Sequence, residues 1–345
     1  MDLLRAIRAR AGRAGRDGPG RDGPGRDGAG RDGAVRLGIG DDCALLGVRR
    51  GEELAVTTDL SIAGRHFRMD WHPPEAVGHR TLARGLSDLA SMGARPVAAF
   101  LSLGLPRELT VRKGRGGSWV DRFFAGLFRL ADEHRCPLAG GDLAESPLAL
   151  ADIALVGAVP AGKALRRSGA RPGDLLYVTG TLGGAAAGLA TLAEASAKGR
   201  AERQWTSPAR VPAALRPHLY PQPRIRQGLA LRQRALAVAA IDLSDGLSID
   251  LTHMCEESDA CAVIQEGALP IADGATLEHA LHGGEDYELL FAGRPSVPMP
   301  RSIGGVPITA IGYVTRFQRG KPRVMIDNGS SLEPLGPHGW QHFRS

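Results

Sequence analysis

The alternation of short apolar runs with helical patterns is the feature that most limits the folds open to this chain. Apolar runs between turn formers predict strands, and apolar residues recurring every three to four positions predict helices. The first half is predicted to contain strands at 55–60, 97–106 and 151–160 and helices at 74–92 and 119–133. The second half is predicted to contain strands at 174–180, 235–243 and 287–293, a helix at 185–195 and another ending near residue 257. This alternation in both halves predicts an α/β or α+β fold.

The length and the distribution of turn formers predict two domains. The 345 residues suffice for two domains, and the turn-rich stretch 165–174 marks the change between them. Near the start, GRDG occurs four times with a period of five in residues 15–33. Such a glycine-rich segment, without recurring apolar residues, cannot bury a core. We therefore predict a disordered extension at 1–34, an N-terminal domain at 35–160 and a C-terminal domain at 161–345.

Composition and charge narrow the classes of protein. Hydrophobic residues make up 43% of the chain and charged residues 23%, as in ordinary globular enzymes. The sequence contains no run of about 18 apolar residues and no apolar signal segment, so neither a membrane span nor secretion is predicted. The four cysteines form no C-x-x-C pair, which favours free thiols in a reducing cytoplasm. The net charge of +6 comes without a basic block interleaved with aromatic residues, which argues against a nucleic-acid partner.

Two segments approach known nucleotide-binding motifs but do not satisfy them. Residues 157–164, GAVPAGKA, place Ala164 where a P-loop needs a hydroxyl, and Pro160 removes a backbone N–H from the phosphate cradle. Residues 179–188, TGTLGGAAAG, carry Leu182 at the second glycine position of a dinucleotide fingerprint. The H-R-D and D-F-G motifs of protein kinases are absent too. A nucleotide site in this chain must therefore have another architecture.

Carboxylates recur at predicted strand ends and beside glycines. Taken singly, each has a plain interpretation as a turn residue or a helix cap. As a set, converging carboxylates repel one another, and hard cations such as Mg²⁺ relieve that repulsion. Thr57, Thr58 and Ser244 add hydroxyl groups to the pattern. It predicts a site for several Mg²⁺ ions and a polyphosphate, with carboxylates at Asp41, Asp42, Asp59, Asp88, Asp142, Asp242, Asp245, Glu285 and Asp286.

The order of the motifs around these carboxylates resembles one protein family. The motifs are IGDDCALL, TTDL, GRHF, LSDLASMGA, LSLGLP, AGGD, GARPGD, VTGTLGG, IDLSDGL and GGEDYELLF. In this order they resemble the thiamine-monophosphate kinases, a family of the aminoimidazole-ribonucleotide synthetase superfamily. The resemblance extends over about residues 35 to 345, and GGEDYEL, IDLSDGL and the T-T-D and H-F pair are together very specific.

The resemblance implies an activity and a fold. Members of the family transfer the γ-phosphoryl group of ATP to thiamine monophosphate, giving thiamine diphosphate and ADP. The implied fold is a two-domain α/β (α+β) arrangement, with an N-terminal domain that forms a dimeric β-barrel and a C-terminal α/β domain. The expected partners are ATP, thiamine monophosphate, several Mg²⁺ ions and a second copy of the chain. Metal ions that neutralise and align two phosphorylated substrates make a covalent enzyme nucleophile unnecessary.

The same resemblance implies roles for individual residues. The implied metal ligands are Asp42, Thr57, Thr58, Asp59, Asp88, Asp142, Asp242 and Asp245, with Asp59, Asp88 and Asp245 as catalytic residues. The implied ATP contacts are Phe124, Gly141, Asp142, Arg167 and Ser244, and the implied thiamine monophosphate contacts are His66, Glu285 and Trp340. Arg166 stays an alternative to Arg167, and His66 and Trp340 have alternative interpretations as packing residues.

Two other functions are kept as alternatives. Enzymes of the same superfamily act on aminoimidazole precursors, selenide or a hydrogenase-maturation carbamoyl group. The selenide enzyme needs a reactive N-terminal cysteine and the maturation factor a C-terminal one, whereas the first cysteine here is Cys43 and the chain ends in HFRS. The alternative from a different class is a nucleic-acid-associated protein that uses the Arg-rich N-terminus.

Overall fold

The structure is a computed structural model that describes residues 7, 10, 34–39, 43–112, 117–197 and 208–339. These residues form two compact units. The first unit holds the described residues up to Gly85 together with 95–161, and the second holds 86–94 and the described residues from Gly162 onward. Each unit combines a main β-sheet with α-helices, so the predicted mixture of helices and strands is confirmed.

The first unit is built on a four-stranded sheet. A small antiparallel hairpin of β1 (Val35–Leu37) and β2 (Leu45–Leu46) precedes it in the chain. The sheet strands are β3 (Glu52–Ile62), β4 (Arg95–Leu105), β5 (Leu138–Glu145) and β6 (Leu150–Pro160), in the spatial order β3-β6-β4-β5. Strand β6 is antiparallel to β3 and β4, whereas β4 and β5 are parallel. The strands described in this unit form open sheets and no closed barrel.

Two helices complete the first unit. They are α1 (Pro74–Ser91), whose last six residues belong to the second unit, and α2 (Trp119–His134). Both match their predicted ranges to within one residue. The N-terminus of α2 has a capping box, because Ser118 Oγ accepts a hydrogen bond from the Asp121 N–H and the Asp121 carboxylate accepts one from the Ser118 N–H. A 3₁₀ turn at Arg107–Leu109 follows β4.

Helices α1 and α2 touch through glycines. A Cβ on Gly78 would lie 2.0 Å from the Phe123 carbonyl oxygen, and a Cβ on Gly126 would lie 1.8 Å from the Glu75 carbonyl oxygen. The two backbones are therefore closer than any larger residue would permit. Beside the crossing, Arg122 donates two hydrogen bonds to the Glu75 carboxylate, at 2.8 and 2.9 Å. This bidentate ion pair fixes the register of one helix on the other.

Strand β3 has one covered and one open face. Thr57 pairs with Leu155 and Asp59 with Ile153, and both partners are fully buried. Residues directly opposite each other in a ladder share a face, so Thr57 and Asp59 point to the covered side. The open side carries three exposed apolar side chains, Leu54, Val56 and Leu60, which keep 50%, 65% and 44% of their surface accessible. Three apolar side chains on one strand face indicate a surface that an interaction covers.

The second unit is built on a larger, mostly antiparallel sheet. Its strands are β7 (Leu175–Thr179), β8 (Ala239–Asp242), β9 (Ala260–Gln265), β10 (Leu289–Gly293), β11 (Ser302–Ile303), β12 (Val306–Arg316), β13 (Val324–Asp327) and β14 (Leu332–Pro334). They lie in the order β14-β13-β9-β12-β7-β10-β8, with β11 paired to β12, and only the described pair β13 and β9 is parallel. Fully buried side chains such as Leu176, Leu290 and Ile264 form its core.

Five α-helices lie in the described part of the second unit besides the end of α1. They are α3 (Gly184–Ala197), α4 (Arg216–Leu219), α5 (Ile225–Gln233), α6 (Leu247–Glu257) and α7 (Leu277–His282). Short 3₁₀ turns occupy Pro208–Arg210, Ala213–Leu215 and Glu266–Ala268. The predicted strand 235–243 is wrong over its first four residues, because the chain turns there: Ala235 has φ 51° and the Leu236 N–H bonds the Leu231 carbonyl.

Of the predicted extension 1–34, the structure describes only Ile7, Arg10 and Ala34. Ile7 and Arg10 are helical, Ile7 is buried, and the Arg10 guanidinium carbon lies 5.2 Å from the centre of the Phe128 ring. The GRDG repeat lies outside the described residues. Among the helices that the structure describes, none is both long and apolar enough to cross a membrane. All four cysteines are free thiols, and three of them are buried.

Candidate active site

The first unit presents a carboxylate, Asp59, on the covered face of β3. Asp59 keeps 22% of its side chain exposed, and the Arg84 Nε of α1 lies 3.3 Å from its Oδ1. Thr57 is on the same face two residues earlier. Strand geometry therefore brings the Thr57 hydroxyl and the Asp59 carboxylate to one side of the sheet, next to an arginine.

Thr58 lies on the opposite face of β3. Successive side chains of a strand point to opposite sides, so Thr58 shares its face with Val56 and Leu60. The Thr58 hydroxyl therefore does not converge with the Asp59 carboxylate. A role of Thr58 in holding one of the predicted Mg²⁺ ions stays a prediction.

His66 lines a small cleft of the first unit close to Asp59. Its Nδ1 accepts a hydrogen bond of 3.1 Å from the Ile62 N–H, and its carbonyl oxygen accepts one of 3.2 Å from Arg80 Nη2. The cleft is lined by Ser61, His66, Phe67, Val77, Arg80, Thr81 and Arg84. Two guanidinium groups, two hydroxyls and an imidazole form a lining that suits an anion. A contact of His66 with substrate phosphate stays a prediction.

The predicted ATP contacts Gly141 and Asp142 lie on β5. Gly141 has φ 143°, and a Cβ there would lie 1.9 Å from the Leu101 carbonyl oxygen, so the position requires glycine. Asp142 is exposed, and the Leu143 N–H donates a 2.9 Å hydrogen bond to its Oδ1. Asp142 pairs with Ser102 of β4. The pairing continues through β6 to β3 and places Asp142 on the same side of the sheet as the open face of β3. Asp142 and Asp59 thus lie on opposite faces of this sheet.

Phe124 belongs to the core of the first unit. Its side chain is buried, and its ring packs edge-on against Phe123 at 5.6 Å and stacks with Phe128 at 5.7 Å between ring centres. Only 5% of the residue is accessible. The amphipathic pattern of α2 places this ring against the core, and a contact of Phe124 with ATP stays a prediction.

In the second unit, the last turns of α1 contribute Ser87 and Asp88. The Ser87 hydroxyl donates a 2.7 Å hydrogen bond to Asp242 Oδ2 at the end of β8, and both residues are buried. The bond joins positions 155 residues apart in the chain. Asp88, half-buried, follows Ser87 directly. The fold of this unit therefore places the predicted ligands Asp242 and Asp88 on two adjoining elements.

The loop carrying Ser244 and Asp245 is held by a second carboxylate. The backbone N–H groups of Ser244, Asp245 and Gly246 all donate to Asp250 Oδ2, each at 3.1 Å. Asp250 lies in the first turns of α6 and is almost fully buried. Burial, reinforced by the charge of Asp245, raises the pKa of the Asp250 carboxyl to about 7. We call these three hydrogen bonds the Asp250 brace. They fix the loop that carries Ser244 and Asp245, and both of these side chains are half-buried.

The GGEDYEL motif divides its carboxylates between two roles. Asp286 accepts hydrogen bonds from the N–H groups of Gly183 at 2.6 Å and Ala185 at 3.1 Å, and so caps the N-terminus of α3. Burial raises the pKa of this carboxyl to about 7. Glu285 has φ 69° and keeps 25% of its side chain exposed, with His218 Nδ1 3.7 Å from its Oε2. Asp286 therefore supports the helix, and a contact of Glu285 with a ligand stays a prediction.

Glu288 of the same motif is also structural. Arg224 binds its carboxylate with two nitrogens, and the Thr179 hydroxyl donates a 2.6 Å hydrogen bond to its Oε2. Glu288 is 4% exposed, so this buried pair is shielded from solvent. A Cβ on Gly180 would collide with the carboxylate, which explains the glycine at that position.

Some predicted site residues lie outside the part of the chain that the structure describes. They are Asp41, Asp42 and Trp340. Arg166 and Arg167 are both described, and both side chains are exposed. Their carbonyl oxygens accept hydrogen bonds from the Ala240 N–H and the Ser258 hydroxyl, respectively. The choice between these two arginines stays open.

The described residues contain no group of three or more His, Cys, Asp or Glu side chains close enough to hold one metal ion. The described side chains therefore do not form a metal site that is built from protein ligands alone. Mg²⁺ is usually bound by one or two carboxylates together with substrate phosphates and water. Half-exposed single carboxylates such as Asp59 and Asp245 fit that second mode of binding.

Four residues at the site were missed by the sequence analysis. Arg80 and Arg84 stand eight and four positions before Asp88, so the helical period predicts all three on one face of α1. Ser87 carried no signal, because its partner Asp242 is remote in the chain. Asp250 follows the S-D-G turn at a spacing that lets its carboxylate accept hydrogen bonds from the N–H groups at a helix N-terminus. This spacing could have been recognised in the sequence.

Comparison with known families identifies the class of protein first. The family model of AIR synthase related protein, N-terminal domain, matches residues 40–159. The model of its C-terminal domain matches residues 171–299. The chain thus carries both domains of the AIR synthase related proteins.

Individual relatives narrow the class to one family. The thiamine-monophosphate kinase of Escherichia coli K12 is 42% identical over 321 residues, which cover 90% of this chain and 92% of that protein. The crystal structure of thiamine-monophosphate kinase from Stenotrophomonas maltophilia K279a is 34% identical, with a TM-score of 0.72 and coverage of 95% and 96%. AaThiL complexed with AMPPCP and TMP is 30% identical, with a TM-score of 0.72 and coverage of 86% and 89%. The chain belongs to the thiamine-monophosphate kinase family.

Proposed function

We propose that this protein transfers the γ-phosphoryl group of ATP to the phosphate of thiamine monophosphate, releasing thiamine diphosphate and ADP in the cytoplasm. The observation that carries the proposal is the similarity to thiamine-monophosphate kinases over 90% of the chain, through both domains. A relative of the same fold, AaThiL, was solved with AMPPCP, an ATP analogue, and TMP. Free buried thiols at Cys136, Cys255 and Cys261 agree with a reducing compartment.

The described carboxylates support a Mg²⁺-assisted transfer. Mg²⁺ supplies charge neutralisation and alignment of the phosphates when it is bound. The residues that we propose hold it are Asp42, Thr57, Thr58, Asp59, Asp88, Asp142, Asp242 and Asp245. Two of them are held in place by neighbouring groups: Ser87 orients Asp242, and the Asp250 brace fixes the loop of Asp245. Prepositioned charge of this kind favours the transition state without reorganisation.

The remaining site residues position the two substrates. We propose that ATP is contacted by Phe124, Gly141, Asp142, Ser244 and one of the pair Arg166 and Arg167. His66, Glu285 and Trp340 are proposed to contact thiamine monophosphate. The cationic cleft of His66 supports the assignment of a phosphate to it, because Arg80 and Arg84 line the same cleft. An acceptor phosphate oxygen that is already ionised needs no strong general base.

A product assay tests the proposal directly. The purified full chain is incubated with Mg-ATP and thiamine monophosphate, and thiamine diphosphate and ADP are quantified by chromatography. We expect the two products in equal amounts, and we expect EDTA to abolish both. Folded protein that binds Mg-ATP but forms no thiamine diphosphate would contradict the proposal. Aminoimidazole and related acceptors would then be tested on the same protein.

We further propose that two copies of the chain associate through the open face of the first-unit sheet and complete a β-barrel. The exposed side chains Leu54, Val56 and Leu60 on β3 support this, because water contact with them is unfavourable. A β3 strand pairing with its symmetry mate would also cover the edge of the sheet, where β3 lies.

Replacing Val56 by Asp tests this association. Val56 is 65% exposed, so the monomer should fold normally, but a buried unpaired charge should break a dimer. We expect light scattering to show a dimer for the wild type and a monomer for Val56→Asp at the same concentration. Val111→Asp is the matched control, because Val111 is 55% exposed in the same unit but not in the sheet. A monomeric wild-type chain would refute the dimer.

A further inference from the structure

Two side chains of the second unit converge on a single carbonyl oxygen near the end of the described chain. The Ser248 hydroxyl of α6 donates a 2.5 Å hydrogen bond to the His338 carbonyl. His282 Nδ1, at the end of α7, lies 2.8 Å from the same oxygen and 2.8 Å from Ser248 Oγ. Ser248 is fully buried. We call these three residues the C-terminal latch.

The geometry of the latch assigns a proton to His282 Nδ1. A carbonyl oxygen only accepts, and a serine hydroxyl has a single proton to donate. If Nδ1 had a lone pair, it would face the His338 oxygen at 2.8 Å with no proton between the two atoms. Both donors therefore point at the backbone of residue 338. Neither interaction is the internal hydrogen bonding of a helix or a strand.

The held segment rests on the loop that carries a proposed metal ligand. A Cβ on Gly339 would lie 2.4 Å from the Asp245 carbonyl oxygen and 2.9 Å from Ile249 Cδ1. The backbone of residue 339 is therefore in direct contact with the backbone of Asp245. Trp340, the next residue in the chain, is one of the proposed contacts of thiamine monophosphate.

We propose that Ser248 and His282 are positioning residues that hold the C-terminal segment 336–339 on the Asp245 loop and thereby set the affinity for thiamine monophosphate. The proposal rests on the function proposed above. The loop itself keeps its shape without the latch, because the Asp250 brace binds all three of its N–H groups. Loss of the latch should therefore weaken binding of thiamine monophosphate and leave binding of ATP nearly unchanged.

Four substitutions test the latch. Ser248→Ala and His282→Leu each remove one donor, and each should raise the KM for thiamine monophosphate about five- to tenfold. The KM for ATP should stay within about twofold. His282→Asn keeps an N–H donor near the Nδ1 position and should restore nearly normal values. Thr252→Ala is the matched control, because its hydroxyl lies on the same helix and donates only to the Ser248 carbonyl.

The coupling to residue 340 is measured by a double-mutant cycle. If the latch acts by positioning Trp340, Ser248→Ala should add no further increase in the KM for thiamine monophosphate when Trp340→Ala is already present. Independent, multiplicative effects of the two substitutions would overturn the proposal. An unchanged KM in Ser248→Ala, or an equal increase in Thr252→Ala, would overturn it as well.

A readout without catalysis separates this proposal from the proposed function. Hydrogen–deuterium exchange of the C-terminal peptide that contains residues 336–339 should be faster in Ser248→Ala and His282→Leu than in the wild type, His282→Asn or Thr252→Ala. Unchanged exchange in the first two variants would refute the latch even if the protein is an active kinase. Accelerated exchange in a protein that makes no thiamine diphosphate would support the latch and reject only its catalytic consequence.

Discussion

Replacing Asp59 by Asn should reduce turnover by about a thousandfold, the upper range for losing one electrostatic group in an active site. Asn keeps the shape of the side chain but removes the negative charge, so it cannot neutralise a cation in the way a carboxylate does. The fold should survive, because Asp59 is partly exposed and its ion pair with Arg84 lies at the edge of a cleft. Turnover is measured by the product assay at saturating substrates, over a range of Mg²⁺ concentrations.

A second carboxylate of the same unit serves as the control. Asp70 pairs with Arg68 at 3.2 Å, much as Asp59 pairs with Arg84 at 3.3 Å, but it lies on the exposed surface. Asp70→Asn should leave turnover within about twofold, because surface ion pairs contribute little. Thermal melting of both variants checks that each is folded. Activity above a tenth of the wild-type value in Asp59→Asn would remove Asp59 from the proposed metal site.

The substitution of Gly126 by Ala should destabilise the protein by about 3 kcal/mol or more, a value typical of severe overpacking. The added methyl group would lie 1.8 Å from the Glu75 carbonyl oxygen, which is backbone and cannot rotate away. Helices α1 and α2 would have to separate, and the bidentate bond between Arg122 and Glu75 would be strained. Urea unfolding followed by far-ultraviolet circular dichroism measures the loss as a lower midpoint with an unchanged slope.

Gly267 provides the matched control for this experiment. A Cβ on Gly267 would meet nothing within 4 Å, and its φ lies outside the region reserved for glycine. Gly267→Ala should therefore change the free energy of unfolding by less than about 1 kcal/mol, in either direction. If Gly126→Ala unfolded at the same urea concentration as Gly267→Ala, the close crossing of α1 and α2 would be incorrect.

The secondary structure was predictable where the hydrophobic period was long. The 18 residues of α1 and the 16 residues of α2 carry a clear helical pattern, and both appear within one residue of their predicted ends. The apolar run 235–243 was less informative, because its first residues form the turn that ends α5. An apolar run reports burial, and burial alone does not distinguish a strand from a buried turn.

The site was predictable as a set of residue types but not as a geometry. Motif order in the sequence pointed to the family, and the relatives confirmed it. The TTDL motif places Thr57 and Thr58 next to each other, whereas the pleat of β3 directs their side chains to opposite faces of the sheet. Residues at adjacent positions of a motif can therefore point their side chains in opposite directions. The resemblance also implies a contact of Phe124 with ATP, and only the structure shows that the packing of α2 leaves 5% of this residue accessible.

The sequence by itself determined the family, the approximate order of helices and strands, and the carboxylates around which the site is proposed, because these depend on local pattern and residue type. Only the tertiary structure decided which acidic side chains support the fold and how the others are held. Asp286 caps a helix, Glu288 is buried with Arg224, and Ser87 reaches Asp242 across 155 positions. Hydrogen bonds between remote residues depend on how the chain packs, and no local period in the sequence records that packing.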